Sequence, residues 1–526
     1  YLSPERLSTE IFKARVQSMK VNLIAVDESH CISQWGYDFR PSYLKIADLR
    51  ELVPDVPFLA LTATATPKVV EDIMQLLKFR EKNLFQKSFE RKNLTYRVDH
   101  VEDKMRRLLN YCRDIKGTGI VYVRNRKKTR EIAEMLRKSE ISADYYHAGL
   151  SYELRNSRQE NWQKAKTRII VSTNAFGMGI DKPNVRLVVH YDMPDSPEAY
   201  FQEAGRAGRD TKPALAVLLY SKADGVQAKK RIETNFPEIS KIKEVYHALG
   251  NFLQVPVGAG KGQSYDFVFS DFLRDYKFNA LIAHSALKVL QREGYVELSD
   301  EINNPSRVHF KIERDDLYKF QVSNARFDGF IKLLLRSYSG FFSSYVSIDE
   351  NLLARRSGLK VDDVYTYLKL LSKYKIIDYI PRKRNPVLTY TEERLEHKGL
   401  YFSVERYKFL KERFGEKLYA MLDYAESTTR CRSAILLDYF GERNAARCGK
   451  CDVCRQRNEL ELSKYEFDLI LEDIKNHLSK KPLLIPELAS QVNYSDEKFM
   501  KVFRWLLDHG KIVRDDLQRY KWGRDE

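Results

Sequence analysis

The stretch Val21-Asn22-Leu23-Ile24-Ala25-Val26-Asp27-Glu28-Ser29-His30 decides the fold. Its first six residues form a short, mostly apolar run, the signature of a strand inside a sheet. Two acids follow at once. Open parallel sheets hold their ligands just past the carboxyl ends of their strands. Adjacent carboxylates there suit a nucleotide motor, with Asp27 holding Mg²⁺ through water and Glu28 polarising the attacking water. An acidic pair after a strand can equally be a helix cap. The continuation His30-Cys31-Ile32-Ser33-Gln34-Trp35-Gly36-Tyr37-Asp38-Phe39-Arg40-Pro41 argues for more. Three aromatics and an arginine in so short a loop suit stacking on bases and contact with phosphate.

Further β-rich runs stand at residues 58–61 (FLAL), 120–123 (IVYV), 168–171 (RIIV) and 187–190 (LVVH), separated by amphipathic helical stretches. Such alternation predicts parallel α/β structure through about residue 225. After the second run comes Leu61-Thr62-Ala63-Thr64-Ala65-Thr66-Pro67. Its small hydroxyl side chains, Thr62 and Thr64 among them, can relay a change between the acidic pair and a facing lobe. Gln202-Glu203-Ala204-Gly205-Arg206-Ala207-Gly208-Arg209-Asp210 places two arginines three apart, able to project together across a cleft. A guanidinium aimed at a γ-phosphate stabilises the charge that spreads there during transfer.

The chain has 526 residues, enough for several domains, and 43% hydrophobic content, enough for packed cores. Ninety Lys and Arg against 73 acids leave a net charge of +17. That excess favours a polyanion, because each neutralised phosphate releases counterions. No apolar run of about 18 residues suggests a membrane span, and no basic-then-apolar leader appears. Six cysteines in so long a chain make no disulfide framework. Cys431, Cys448, Cys451 and Cys454 cluster, and four thiolates are what a closed tetrahedral zinc site takes. That chemistry fits a reducing, cytoplasmic compartment. Cys31 and Cys112 read as inert core thiols.

Between residues 226 and 425 helical periodicity takes over. One phrase recurs: an amphipathic helix, a short polar break, then a β-like run. It stands at residues 286–298, 367–380 and 501–513. A helix leading straight into a hairpin is how a winged helix is built. Residues 351–357 and 486–492 read as upstream helices, and residues 401–415 as a helix leading to the cysteines.

The DESH box with its aromatic-rich continuation resembles the RecQ family of superfamily 2 DNA helicases. So do the early motif Tyr1-Leu2-Ser3-Pro4-Glu5-Arg6-Leu7 and residues 120–129 and 144–151. The similarity continues through Ser172-Thr173-Asn174-Ala175-Phe176-Gly177-Met178-Gly179-Ile180-Asp181-Lys182-Pro183, the Gly/Arg motif, and a zinc stretch with Cys431-Arg432 and Tyr439-Phe440-Gly441. The resemblance implies two RecA-like parallel-sheet lobes, the first incomplete, then mostly helical winged-helix-like units, a zinc subdomain and a C-terminal winged helix. The expected boundaries are 1–90 and 91–225 for the lobes, 226–425 for the helical insert, 426–460 for zinc and 461–526 for the last winged helix.

It implies ATP, Mg²⁺ and Zn²⁺ as cofactors, and 3′-to-5′ unwinding of DNA in repair or recombination. Single- and double-stranded DNA are the implied partners, with single-stranded-DNA-binding or recombination proteins beside them. In a bacterium the site of action would be the nucleoid. By the same resemblance Ser3, Arg6, Trp35, Phe39, Arg40, Asn125, His147, Arg155 and Thr173 face nucleic acid. His30, Thr62, Thr64 and Gln202 couple it to the nucleotide. Asp27, Gly179, Asp181, Arg206 and Arg209 meet the nucleotide, with Arg209 as the finger and Arg206 its neighbour.

No GxxxxGK[ST] occurs. Gly258-Ala259-Gly260-Lys261-Gly262 comes nearest, but Val255 and Gly262 occupy the positions of the first Gly and the Ser/Thr, so it reads as a connector. The chain is therefore expected to start inside the first lobe and, as it stands, to hydrolyse little ATP. The rivals are a motorless DNA-binding protein built from the zinc and winged-helix modules, and an RNA-directed superfamily 2 enzyme.

Overall fold

The computed structural model describes the chain except residues 36–38, 178–179, 300–305, 343, 382–386, 397–398, 459–461, 463, 516–518 and 524–526. The chain divides into two compact units, Tyr1–Lys230 with Phe409–Glu526, and Arg231–Lys408.

The first unit opens with strands β1 (Ile24–Val26) and β2 (Phe58–Ala60), paired in parallel with Ile24 opposite Phe58. Val26, Ile32, Ile46, Val69 and Ile73 pack beneath them. A second, larger sheet follows. Its strands are β3 (Leu94–His100), β4 (Thr118–Tyr122), β5 (Ala143–Tyr146), β6 (Ile169–Ser172), β7 (Val185–His190) and β8 (Ala214–Tyr220), in the order β3-β8-β7-β4-β6-β5. All its pairings are parallel. Every residue of β4 and β6 is buried, as a parallel sheet covered by helices on both faces demands. The apolar runs read from the sequence are these strands, and each motif lies at a strand end.

The second unit holds two separate cores. The outer one is a winged helix. Helix Ile239–Phe252, β9 (Ser264–Asp266), helices Phe269–Tyr276 and Ala280–Arg292, and β10 (Val296–Ser299) close on β14 (Val387–Tyr390), in the order β10-β14-β9. Ser299 pairs with Val387, so the whole inner core is inserted where a wing loop would be. The inner core runs from β11 (Ser306–Phe310) through helices Arg314–Ser323 and Ala325–Ser337, β12 (Val346–Ile348), helices Glu350–Ser357 and Val361–Lys373, to β13 (Ile377–Ile380). Its sheet order is β12-β11-β13. The strand that completes this winged helix comes first in the chain, a circular permutation of the usual order.

Gly258, Gly260 and Gly262 all have positive φ, at +78°, +94° and +71°. The Gly258 and Gly262 amides donate to the Arg394 and Tyr390 carbonyls, and Lys261 pairs with Glu392. Those donors brace the outer winged helix, as befits a connector rather than a phosphate loop.

Phe409 onward belongs to the first unit, so the unit boundary falls inside helix Val404–Glu426, before the expected 425/426 boundary. Cys431 precedes helix Arg432–Tyr439, Cys448 and Cys451 lie in the loop before helix Asp452–Asn458, and Cys454 lies on that helix. The C-terminal winged helix has helices Lys464–Leu478, Ile485–Gln491 and Asp496–Asp508, then the hairpin β15 (Ile512–Arg514) and β16 (Tyr520–Trp522). Each recurring helix–turn–strand phrase is thus the third helix and following strand of one winged helix. No helix among the described residues is long and apolar enough to cross a membrane.

Candidate motor cleft and metal centre

At the end of β1 the Asp27 Oδ1 accepts the Glu28 amide at 2.8 Å. Glu28 has φ +48°, a left-handed conformation that is costly for a residue with a Cβ and common at functional turns. The turn feeds the 3₁₀ segment Ser29–Ile32 and buries His30. His30 Nδ1 lies 2.9 Å from Thr62 Oγ1 and 3.4 Å from Glu28 Oε2. Thr62 Oγ1 also accepts the Thr64 amide at 3.3 Å, and the buried Thr64 hydroxyl has no hydrogen-bond partner among the described atoms. Because β1 and β2 are parallel neighbours, their ends meet, and His30 ties the acid to the threonines.

On the second lobe both arginines reach the loop after β6. Arg206 is buried, and its Nη1 donates to the Gly177 carbonyl at 2.7 Å. A Cβ on Gly177 would stand 2.9 Å from the Asn174 carbonyl oxygen and 3.2 Å from Arg206 Nη2, so only glycine fits there unstrained. Arg209 Nη1 donates to the Ile180 carbonyl at 3.1 Å and to Asp181 Oδ1 at 2.8 Å. Gly179 lies outside the described residues.

A cavity of about 760 Å³ joins the two lobes, lined by Phe39 and Arg40 from the first and Thr173, Gln202 and Arg206 from the second. Arg206, rather than Arg209, is the cleft arginine on its wall, and Asp27 and Glu28 are not among its lining residues. Helix Val404–Glu426 supplies the remaining side with Leu410, Arg413 and Phe414. These three were missed in the sequence, where nothing distinguishes such a helix face from a solvated one.

The other expected contacts are scattered. Ser3 and Arg6 are exposed at the 3₁₀ helix Pro4–Ser8. The Asn125 side-chain oxygen caps helix Arg126–Lys138, accepting the Lys127 amide at 2.7 Å. His147 stacks on Tyr145, and burial, then Arg126 and Arg158, pull its pKa below the usual imidazole value. Arg155 lies on helix Tyr152–Gln163, its Nε buried without a partner among the described atoms. Trp35, expected to offer its face to a base, carries the Arg413 guanidinium 2.9 Å from its ring centroid and the Lys68 ammonium at 4.4 Å. Phe409 meets it edge-on at 5.4 Å. Cations over an indole face are drawn by its quadrupole, so protein takes the place foreseen for a base.

The four cysteines converge, their sulfurs all within 4.8 Å of one another. The Cys431 and Cys451 sulfurs are 4.0 Å apart. A tetrahedron with Zn–S bonds of about 2.3 Å sets sulfurs about 3.8 Å apart, so the donor set fits zinc. The amides of Cys448, Cys451 and Cys454 point at the sulfurs of Cys431, Cys448 and Cys451 at 3.3, 3.3 and 3.4 Å, which favours thiolates. Gly449 turns the chain at φ +74° between the close ligands. Beside them Arg432 is buried, donating to both Asp452 carboxylate oxygens and to the Tyr424 carbonyl.

The same module grips the segment between the lobes. Phe440 stacks on Phe89 at 4.6 Å, and Glu442 accepts from the Ser88 hydroxyl at 2.7 Å and the Phe89 amide at 2.5 Å. Arg91 runs on to the carbonyls of Gly205, Ala207 and Gly208, the arginine motif itself.

A parallel-sheet lobe facing a second parallel strand pair, with an acidic turn on one and two arginines on the other, defines the class of two-lobed superfamily 2 motors. Family models match four stretches of the chain. They are the DEAD/DEAH box helicase over residues 1–73, the helicase conserved C-terminal domain over 102–211, the RecQ helicase winged-helix domain of Bacteroidota over 308–381, and RecQ zinc-binding over 396–455. The third match covers the inner winged helix. The fourth takes in helix Val404–Glu426.

ATP-dependent DNA helicase RecQ of Haemophilus influenzae is 44% identical over 43% of this chain and 36% of its own length. The Bacillus subtilis RecQ is 45% identical over 43% and 38%. Among solved structures, Saccharomyces cerevisiae Dbp5 bound to RNA and ADP BeF3 aligns with a TM-score of 0.35 and 18% identity, over 44% of this chain and 61% of that one. Over these matched stretches the chain is similar to the RecQ family of superfamily 2 helicases. It spans just over a third of the length of the two RecQ relatives.

Proposed function

We propose that the native protein is an ATP-dependent DNA helicase that moves 3′-to-5′ along one strand and opens duplex DNA in repair or recombination. The observation that carries this reading is the cavity shared by Phe39 and Arg40 of the aromatic loop and by Thr173, Gln202 and Arg206 of the facing lobe. A single strand there touches both lobes at once. His30, between Glu28 and Thr62, is the connection by which strand occupancy reaches the acidic pair. Asp27 is the residue that would hold Mg²⁺, which would supply neutralisation of the phosphate charge. Glu28 polarises the attacking water. Arg209 is the finger that leaves Asp181 to meet the charge on the transferring phosphoryl group, while Arg206 holds the Gly177 loop in register.

The four thiolates hold structural zinc, and the C-terminal winged helix meets the duplex at the fork. These 526 residues contain no GxxxxGK[ST], so this stretch alone is proposed to turn over little ATP. The protein acts in the cytoplasm, on the nucleoid if its source is bacterial, beside single-stranded-DNA-binding or recombination proteins. The test compares ATP hydrolysis by the native protein with single-stranded DNA, with RNA, and with neither. It also measures unwinding of 3′-tailed against 5′-tailed duplexes. DNA-selective stimulation and 3′-tail preference are expected. Stimulation by RNA alone, or by neither, overturns the reading.

A further inference from the structure

Helix Val404–Glu426 does more than wall the cavity. One turn beyond Arg413, Lys417 is largely but not fully buried on the wall of the same cavity, and its Nζ donates to the Trp35 backbone carbonyl at 2.6 Å. The same ammonium lies 3.5 Å from Glu198 Oε1. Glu198 is buried in the first turn of helix Pro197–Ala204, which runs directly into the Gly/Arg motif. Burial lowers the pKa of Lys417, and Glu198 opposes that fall. The Tyr439 phenol, on the helix after Cys431, is pushed far above its ordinary value by burial and then by Glu198.

This pair of charges therefore touches the aromatic loop of the first lobe and the helix that leads into the Gly/Arg motif of the second, with Tyr439 of the zinc module beside Glu198. Glu198 is buried, so neutralising Lys417 leaves an uncompensated buried charge.

We propose that Lys417 is a positioning residue that ties the aromatic loop to helix Pro197–Ala204, which leads into the Gly/Arg motif, by its bond to the Trp35 carbonyl and its ion pair with Glu198. Arg413 complements it from the preceding turn, occupying the Trp35 face that a base would take. A strand entering the cavity displaces the Arg413 guanidinium from the indole. The backbone at Trp35 then shifts, and Lys417 transmits the shift to Glu198 and so to Arg206. The transmission step rests on the motor reading above; the tie itself does not.

The test measures amide hydrogen exchange on the full chain and three variants, with and without oligo(dT). The variants are Lys417→Met, Glu198→Gln and the double variant. Without DNA, Glu198→Gln should speed exchange at peptides containing Ser33–Trp35, in the opposite lobe, by about tenfold. Lys417→Met should do the same at peptides spanning residues 200–209. Removing both charges should restore the melting temperature, because no unpaired charge remains, yet leave both segments fast. Lys417→Arg should restore slow exchange in both.

Effects confined to the mutated side overturn the tie, as does a double variant with wild-type exchange, which marks a stabilising pair and nothing more. With oligo(dT), protection at residues 200–209 should appear in the wild type and be lost in Lys417→Met. An oligo(dT) that does not bind the wild type counts against the motor reading, while the DNA-free arms still decide the tie.

Discussion

The zinc module and the cleft are built on opposite plans. Three of the four metal ligands lie between Cys448 and Cys454, and backbone amides orient the sulfurs of Cys431, Cys448 and Cys451, so most of the site is built within one short piece of chain. The cleft is assembled from Phe39, Thr173, Arg206 and Arg413, which are far apart in sequence. The two arginines of the Gly/Arg motif are each anchored within their own lobe, on Gly177 and Asp181. A structural site wants its ligands fixed before anything binds. The proposed motor needs a group that can exchange partners as lobes close, and the exposed Asp181 carboxylate is a partner that releases readily, whereas the buried Gly177 carbonyl holds Arg206.

Metal removal should break that contrast most severely. Chelation, or Cys451→Ser, is expected to cost on the order of 10 kcal/mol of module stability. Metal content and thermal melting measure it. Protease sensitivity should also rise at the Ser88–Phe89 segment, which the module holds. Zinc loss without a change there would mean the two are independent.

Next in size, Arg209→Ala in the native protein should lower DNA-stimulated turnover by about 10³-fold or more, with stability unchanged to within about 0.5 kcal/mol. Arg206→Ala should also lower stability, by about 1–3 kcal/mol, because it strips a buried carbonyl of its donor. If the two variants melt alike, the division between an exchangeable and an anchored arginine fails.

Arg432→Met leaves Asp452 charged and unpaired beside the metal, at a cost of about 3–5 kcal/mol. Adding Asp452→Leu should recover part of it, as denaturant melts would show. Smallest is Asn125→Ala, which removes a helix cap worth about 1 kcal/mol. Oligonucleotide affinity should stay put. Weaker binding at undiminished stability would make Asn125 a nucleic-acid contact instead.

Much of this architecture was legible in the residues. The apolar runs became β1, β2, β4, β6 and β7 because buried parallel strands have no polar face to disguise them. The cysteine spacing announced a closed site, and the helix–turn–strand phrase marked all three winged helices, since both signals are local. The nesting was illegible. β10 pairs with β14 across the whole inner core, and β11 precedes both of its partners, so no turn residue encodes either pairing. The Trp35–Arg413 and Lys417–Glu198 contacts escaped for the same reason. An arginine and a lysine one turn apart look like a solvated helix face until another part of the chain arrives to cover them.

The nested winged helix also sets an order of birth. At about 5–20 residues per second of synthesis, β10 leaves the ribosome well before β14 exists, and the inner core in between can close on its own strands first. The outer core must then wait, one hairpin arm exposed, for its last strand to be translated. A slow-folding substitution in the inner core, such as one at Phe327 or Leu368, would therefore show up as misassembly of a neighbour whose own sequence is unchanged.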